Sequence, residues 1–420
     1  ARSLLCMIAA IFLSTFLPAS AEPLRADVLF DRPEVSTVQL SPSGKYIAAN
    51  VYTDGENYIT IFDTETGTPI QSAGIGKSYL NWLEWITDDR FVVSAATEVE
   101  INSIGAFDFS DVYSKLFSFD RETLEETALF SNTFRISSES KRAILHIAHS
   151  LPDDPEHIIL PAIDHYVNLY KVNVFSGKSE RLIAGNKFTT DWMADEAGRP
   201  FLRFNFYPRR REEVISWYSD AENKFREAKS IGYGESDRIT DVFSPISKVP
   251  GRNELYVLEY TASDEFASLK IFDLETTSSS AVVVEDESAD IEGVYYDKET
   301  GELFGYWTAS DYEIPHFFVE EVREIVDDLI TAVGPGNYRI IDLPTATGAG
   351  IAHFSAPDNP GVYFLFRPGL GWSKLIESAP SYSGRDFAKL VAVSYPSTDG
   401  KMISGYLTNP SGLDLTTPAP

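Results

Sequence analysis

The sequence predicts an all-β chain, a seven-bladed β-propeller over residues 22–383. Three observations predict it: a strand–turn unit recurs at blade-sized intervals, apolar residues are plentiful, and a single stretch has helical periodicity. The unit is clearest in Leu40–Gly67, LSPSGKYIAANVYTDGENYITIFDTETG. Ser41-Pro42-Ser43-Gly44 is a turn, with proline presetting φ and glycine accepting positive φ. Lys45–Val51 reads as a buried strand, Thr53-Asp54-Gly55 turns the chain back, and Tyr58–Phe62 alternates as a second strand. Asp63–Gly67 turns again before Thr68-Pro69-Ile70. A meander this small cannot bury its own faces and needs similar neighbours stacked against it.

Such neighbours recur. A strand running into a polar turn returns 57 residues on at Asp120, 55 further at Phe175, 45 further at Asp220 and 53 further at Asp273. The next, at Arg367, comes after 94 residues, or two units. A four-stranded blade needs roughly 40–50 residues. The unit hidden in the double interval is placed at Asp290–Phe318, where IEGVYYD and ELFGYWT flank the turn Lys298-Glu299-Thr300-Gly301.

Taken in order, Glu22–Glu34 is a lead-in and the first blade runs to about Ser72. Trp82–Phe130 is the second, with an acidic excursion, Glu98–Asp111, read as a long loop. Arg142–Ile183 is the third, in which Leu151-Pro152-Asp153-Asp154-Pro155 turns into the strand His157–Leu160. Thr189–Ile231 is the fourth and Ile239–Val284 the fifth. In Val319–Val333 the apolar residues Val322, Val326, Leu329 and Val333 form a helical stripe opposite Glu320, Glu321, Asp327 and Asp328. Gly334-Pro335-Gly336 stops that helix, and the seventh blade runs from Tyr338 to about Ser378.

The chain has 420 residues, 43% of them hydrophobic, enough for one large repeat domain. A net charge of −28 argues against nucleic acid and anionic membrane as partners. Residues 1–21 read as a secretory signal peptide: Arg2, the apolar run Leu4–Leu17, then Ala19-Ser20-Ala21 before Glu22. The start at Ala1 rather than Met implies that a residue or more has already been lost. The one cysteine, Cys6, lies inside this segment, too early for a lipid anchor. The mature chain would therefore have neither disulfides nor Cys-bound zinc. An exported, acidic, cysteine-free protein suits a periplasmic or secreted location.

After Ser383-Gly384 the pattern changes. Leu390–Tyr395 and Met402–Leu407 are strands joined across Ser397-Thr398-Asp399-Gly400, an Asp-Gly hairpin signal. This hairpin lies beyond the seventh blade and reads as the opening of another domain. Val393–Gly412, VSYPSTDGKMISGYLTNPSG, resembles the stretch leading from propeller to hydrolase in the prolyl oligopeptidase family of serine peptidases, the S9 group. Leu151–Leu160, LPDDPEHIIL, and the sixth-blade helix resemble its secreted bacterial members. The resemblance spans nearly the whole mature chain. It implies that residues 384–420 are a linker and the first strands of a truncated α/β-hydrolase domain. It also implies an activity: acyl transfer from short peptides to a serine, then hydrolysis, without a cofactor. The nucleophile in that family sits in a Gly-x-Ser-x-Gly elbow, with Asp and His after it. No Ser of this chain has both glycines, so the triad is expected beyond Pro420 and this chain is expected to be inactive alone. The propeller's implied role is to admit only short, unfolded peptides.

Other constellations carry less. Gly74-Ile75-Gly76-Lys77-Ser78 and Gly177-Lys178-Ser179 lack the first glycine of a phosphate loop, with Gln71 and Val172 in its place. His146 and His149 are three apart and would face opposite sides of a strand, so no metal site is read from them or from His157 and His165. Arg209-Arg210-Arg211-Glu212-Glu213 is the most charged loop, and ordinarily a solvated hairpin. Members of the family hold substrate termini with propeller carboxylates or arginines, so Arg211, Glu212 and Glu213 are the candidate substrate-binding residues. The rival reading is a free-standing periplasmic propeller that binds a protein or peptide without chemistry. The hairpin at Val393–Leu407 discriminates, because such a propeller has no use for it.

Overall fold

The computed structural model describes residues 32–104, 107–132, 146–232, 242–343, 348–385 and 387–409; for 98–113 only the backbone is described. The signal segment with Cys6, the lead-in to Asp31, the start of the third blade at Arg142 and the fifth at Ile239, and residues 410–420 lie outside the described residues.

Seven sheets follow one another along the chain, and an eighth, two-stranded sheet follows them. Blade 1 is β1 (Val35–Leu40), β2 (Tyr46–Thr53), β3 (Glu56–Asp63) and β4 (Pro69–Gly76), paired in that order. Blade 2 is β5 (Tyr79–Thr87), β6 (Arg90–Ile104), β7 (Phe107–Asp120) and β8 (Glu126–Ala128). Blade 3 is β9 (His157–Asp164), β10 (Tyr166–Asn173) and β11 (Ser179–Ile183), with His149 bridged to Ile159 on its free edge. Blade 4 is β12 (Thr189–Ala194), β13 (Pro200–Tyr207), β14 (Glu212–Ser219) and β15 (Lys224–Gly232). Blade 5 is β16 (Val242–Lys248), β17 (Glu254–Tyr260), β18 (Ser268–Asp273) and β19 (Ser278–Val284). Blade 6 is β20 (Ile291–Tyr296), β21 (Leu303–Ala309) and β22 (Glu313–Phe317), followed by the helix α1 (Glu320–Val333). Blade 7 is β23 (Asn337–Asp342), β24 (Gly350–Ala356), β25 (Asn359–Arg367) and β26 (Gly371–Glu377).

Each interface between neighbouring blades has its own apolar cluster. Ile59 and Ile61 of blade 1 pack on Phe91 and Phe119 of blade 2. Val92 meets Ile158 and Val172 across the next interface, and Ile159 and Leu169 meet Trp192 across the one after. Trp217 packs with Phe272, and Leu269 with Ile291. Phe317 joins Tyr338 and Phe354, and Val38 with Ile47 joins Ile351 with Leu365. That last cluster closes the ring, blade 7 onto blade 1, by side-chain packing. The strands of both blades come from one continuous stretch each, so among the described residues no exchanged strand ties the ring shut.

The recurring turns share a position. In five blades they join the third strand to the fourth, and in blade 3 they join its last two strands, β10 and β11. In four of these six blades a side-chain oxygen caps the turn: Asp63, Asp120, Asn173 and Asp273 accept the amides of Thr66, Thr123, Ser176 and Thr276 at 2.7–2.9 Å. The double interval falls where α1 stands in place of a fourth strand, so blade 6 has no such turn. Its third strand, β22, falls inside the expected unit Asp290–Phe318, beyond the two strands that the sequence marks there. The helix itself matches the reading, with Val319 as N-cap and Gly334 at φ 101° past its end. Glu320 and Glu321 in its first turn complement the helix dipole. Val322, Val326 and Leu329 are buried against Phe317 and blade 7, and Trp372 Nε1 donates to the Ile325 carbonyl at 2.6 Å.

The excursion at Glu98–Asp111 is not a loop. β6 and β7 run on through it, paired from Glu98↔Val112 to Ile104↔Phe107 with one register shift between Glu100 and Asn102, a hairpin arm of 15- and 14-residue strands. Its acidic residues alternate with Val99, Ile101, Phe107 and Phe109, a period of two that the charge obscured.

Candidate functional site: the channel and its two faces

The first strands β1, β5 and β23 pack side by side, innermost in the ring. Because each blade is an antiparallel meander, its first strand begins and its fourth ends at the same face. The Val35 amide donates to the Ser378 carbonyl at 2.9 Å, so the chain leaves blade 7 at that face. It leaves into β27 (Lys389–Pro396) and β28 (Met402–Asn409), the predicted hairpin. Tyr406 Oη donates to Asp311 Oδ1 at 2.9 Å, and Asp311 lies in the β21–β22 turn, which the meander places on the same face. The arm of blade 2 and the Tyr207–Glu212 turn of blade 4 also rise from it. The turns after the first strands lie on the opposite face.

The sequence candidates separate here. Glu213 borders a cavity of about 520 Å³ that runs between the inner strands of blades 3 to 6. Arg211 and Glu212 are not among its lining residues. Glu212 accepts from Arg210 Nε at 2.9 Å and from Ser230 Oγ, and Arg210 stacks over Tyr207 at 4.2 Å. Arg211 takes a positive φ of 50° in the turn.

The histidines have separate partners. His146 Nδ1 is 3.9 Å from Asp191, His157 Nδ1 is 2.9 Å from Asp154, and His149 Nδ1 accepts the Leu151 amide at 2.9 Å. Among the described residues, no three metal-ligating side chains come together.

Charged groups that the sequence did not mark gather at the opposite mouth of the channel. Lys298 of blade 6 reaches Glu84 of blade 2, Nζ to Oε2 at 3.2 Å. Its neighbour Glu299 accepts from Ser150 Oγ, ahead of blade 3. Glu196 of blade 4 meets Lys248 of blade 5 at 2.9 Å. Burial pushes the Glu84 carboxyl up, and Lys298 only partly offsets this. Burial likewise raises Asp191, against the opposing pull of His146. Asp342, at the end of β23, is pushed up to about 6 by burial, with the Leu40 amide partly opposing at 2.9 Å. Glu84 and Asp191 lie within first strands, Lys248 and Asp342 end them, and Glu196, Lys298 and Glu299 follow them. Those positions have chemical meaning only once the ring brings the first strands together.

Comparison with known proteins places the chain. No family profile matches it. Dipeptidyl aminopeptidase BIII of Pseudoxanthomonas mexicana is 23% identical over 408 residues, covering 94% of this chain and 54% of the relative. Among solved structures, one from a study of two prolyl endopeptidases aligns with a TM-score of 0.55 at 12% identity, covering 91% of this chain and 55% of the other. Prolyl oligopeptidase B from Galerina marginata aligns with a TM-score of 0.54 at 10% identity, covering 89% and 54%. These structural likenesses show the propeller. The chain spans about half the length of the proteins it matches.

Proposed function

On the premise that this chain corresponds to the N-terminal propeller part of prolyl oligopeptidase (S9) peptidases, we propose that it is the substrate-gating portion of an exported serine peptidase acting on short peptides. The observation that carries the proposal is the hairpin β27–β28. It leaves Val391, Tyr395, Met402, Ile403, Tyr406 and Leu407 exposed, between 40% and 63% each. A two-stranded sheet is marginal alone, and so large an apolar surface marks a partner. The partner is further chain past Pro420, an α/β-hydrolase domain on the exit face. Its serine would attack the peptide carbonyl, with backbone amides holding the oxyanion.

In this reading the exit face is the roof of the reaction chamber. Arg211, in a turn of that face, and Glu212 and Glu213, which open β14 beside it, are placed where they can meet a substrate terminus. The signal segment sends the chain to the periplasm or the medium, and no cofactor takes part. Reading the gene downstream of Pro420 tests the proposal. A Gly-x-Ser-x-Gly between a strand and a helix, then Asp, then His, is the expected result. A stop codon, or an extension without that elbow, overturns it in favour of the binding propeller.

A further inference from the structure

The turn Asp297–Gly301, between the first and second strands of blade 6, does more than reverse the chain. Asp297 Oδ1 accepts the amides of Glu299 and Thr300 at 2.9 and 2.7 Å, and the Gly301 amide donates to the Asp297 carbonyl at 2.8 Å. The turn is therefore fixed before any long side chain is placed. It also abuts blade 5: a Cβ on Gly301, whose φ is +74°, would lie 2.6 Å from the Lys248 carbonyl oxygen. From this rigid base Lys298 and Glu299 extend to different targets. Glu84 is on the first strand of blade 2, and Ser150 stands ahead of blade 3. Around a ring of seven, blades 2 and 3 are each three blades from blade 6, the largest separation the ring allows. Both contacts therefore cross the channel rather than run along its wall. They do so at the face away from the hairpin, with the Glu196–Lys248 pair beside them.

We propose that Lys298 and Glu299 form a cross-channel bar that shuts the far mouth of the propeller to peptides, so that these two residues set which substrates are admitted. The proposal deepens the peptidase reading by naming the closed route, and its substrate test rests on that reading. The bar needs little ordering entropy, because the turn is fixed by Asp297 and only the two side chains must be placed.

Two measurements test the bar. The first uses this chain alone, with Ser247→Cys as a probe beside Lys248 on the cavity wall. Labelling by a small methanethiosulfonate is compared with labelling by a maleimide joined to a folded mini-protein. The double variant Lys298→Ala/Glu299→Ala should raise the bulky-to-small rate ratio about tenfold or more. The pair Glu84→Lys/Lys298→Glu, which restores the bridge with charges exchanged, should return the ratio to the wild-type value. An unchanged ratio in the double alanine variant overturns the proposal, whatever enters from the other face. The second measurement uses the full-length encoded protein. The double alanine variant should extend the range of peptide lengths cleaved while leaving kcat on a dipeptide substrate unchanged. A full-length protein that cleaves no peptide defeats the peptidase reading, and the labelling result then judges the bar by itself. Cleavage with an unaltered length limit defeats the bar as a specificity determinant.

Discussion

His353 Nε2 lies 3.0 Å from Ser378 Oγ, and the Ser378 carbonyl accepts the Val35 amide at 2.9 Å. The end of blade 7 is thus held from one side by an imidazole and from the other by the first residue of blade 1. Gly361, with φ +142°, leaves room for this: a Cβ there would sit 2.5 Å from His353 Nε2 and 2.6 Å from Ser378 Oγ. Gly361→Ala should destabilise the chain by about 2–4 kcal/mol, from strain and the displaced pair. Urea unfolding checks it, and a loss below about 0.5 kcal/mol would mean that the junction yields freely.

The same histidine gives a pH dependence. Burial, with Arg339 adding to it, lowers His353 from 6.5 to about 4. A depressed pKa means that the folded state favours neutral imidazole. Its contribution is therefore full above pH 6.5 and is lost as pH falls towards 4. His353→Gln should flatten the stability profile across that window by on the order of 2 kcal/mol. A parallel loss in both proteins would assign the slope to other groups.

Asp342 acts in the opposite sense. Its pKa is raised from 3.8 to about 6, so its contribution is full below 3.8 and is lost as pH rises through 6. Asp342→Asn keeps an acceptor for the Leu40 amide and removes the charge. It should stabilise the chain at pH 7–8 by on the order of 2 kcal/mol and have no such effect at about pH 4. Thermal unfolding at the two pH values decides it; equal effects at both would rule out a charge penalty.

Helix α1 should be part of the cooperative unit. Val326 is 1% exposed in the cluster that joins Phe317 to blade 7. Val326→Asp puts a carboxylate there and should cost about 3–5 kcal/mol. An unchanged urea midpoint would show that the helix is detached from the ring.

This chain alone should react with no fluorophosphonate probe and cleave no chromogenic peptide, since none of its serines stands in a nucleophile elbow. Covalent labelling of any serine would overturn the assignment of this chain as the non-catalytic part.

The sequence by itself determined the blades, because their signals are local. Asp63, Asp120, Asn173 and Asp273 each cap a turn within three residues, so the motif and its spacing are written in the chain. The stripe Val322–Val326–Leu329 is local in the same way, and so is the Asp-Gly turn of the last hairpin. The acidic arm of blade 2 was legible only as an excursion, because its charge hid an alternation that pairing across β6 and β7 makes plain. The channel was not legible at all. Glu84 and Lys298 are 214 residues apart, one inside an ordinary strand and the other in an ordinary turn. Glu213, in the same way, was only one of two adjacent acidic residues until the ring set it on the cavity wall. Closing the ring decides these contacts, because it brings together residues from blades three apart, and no local pattern encodes which residues will face one another.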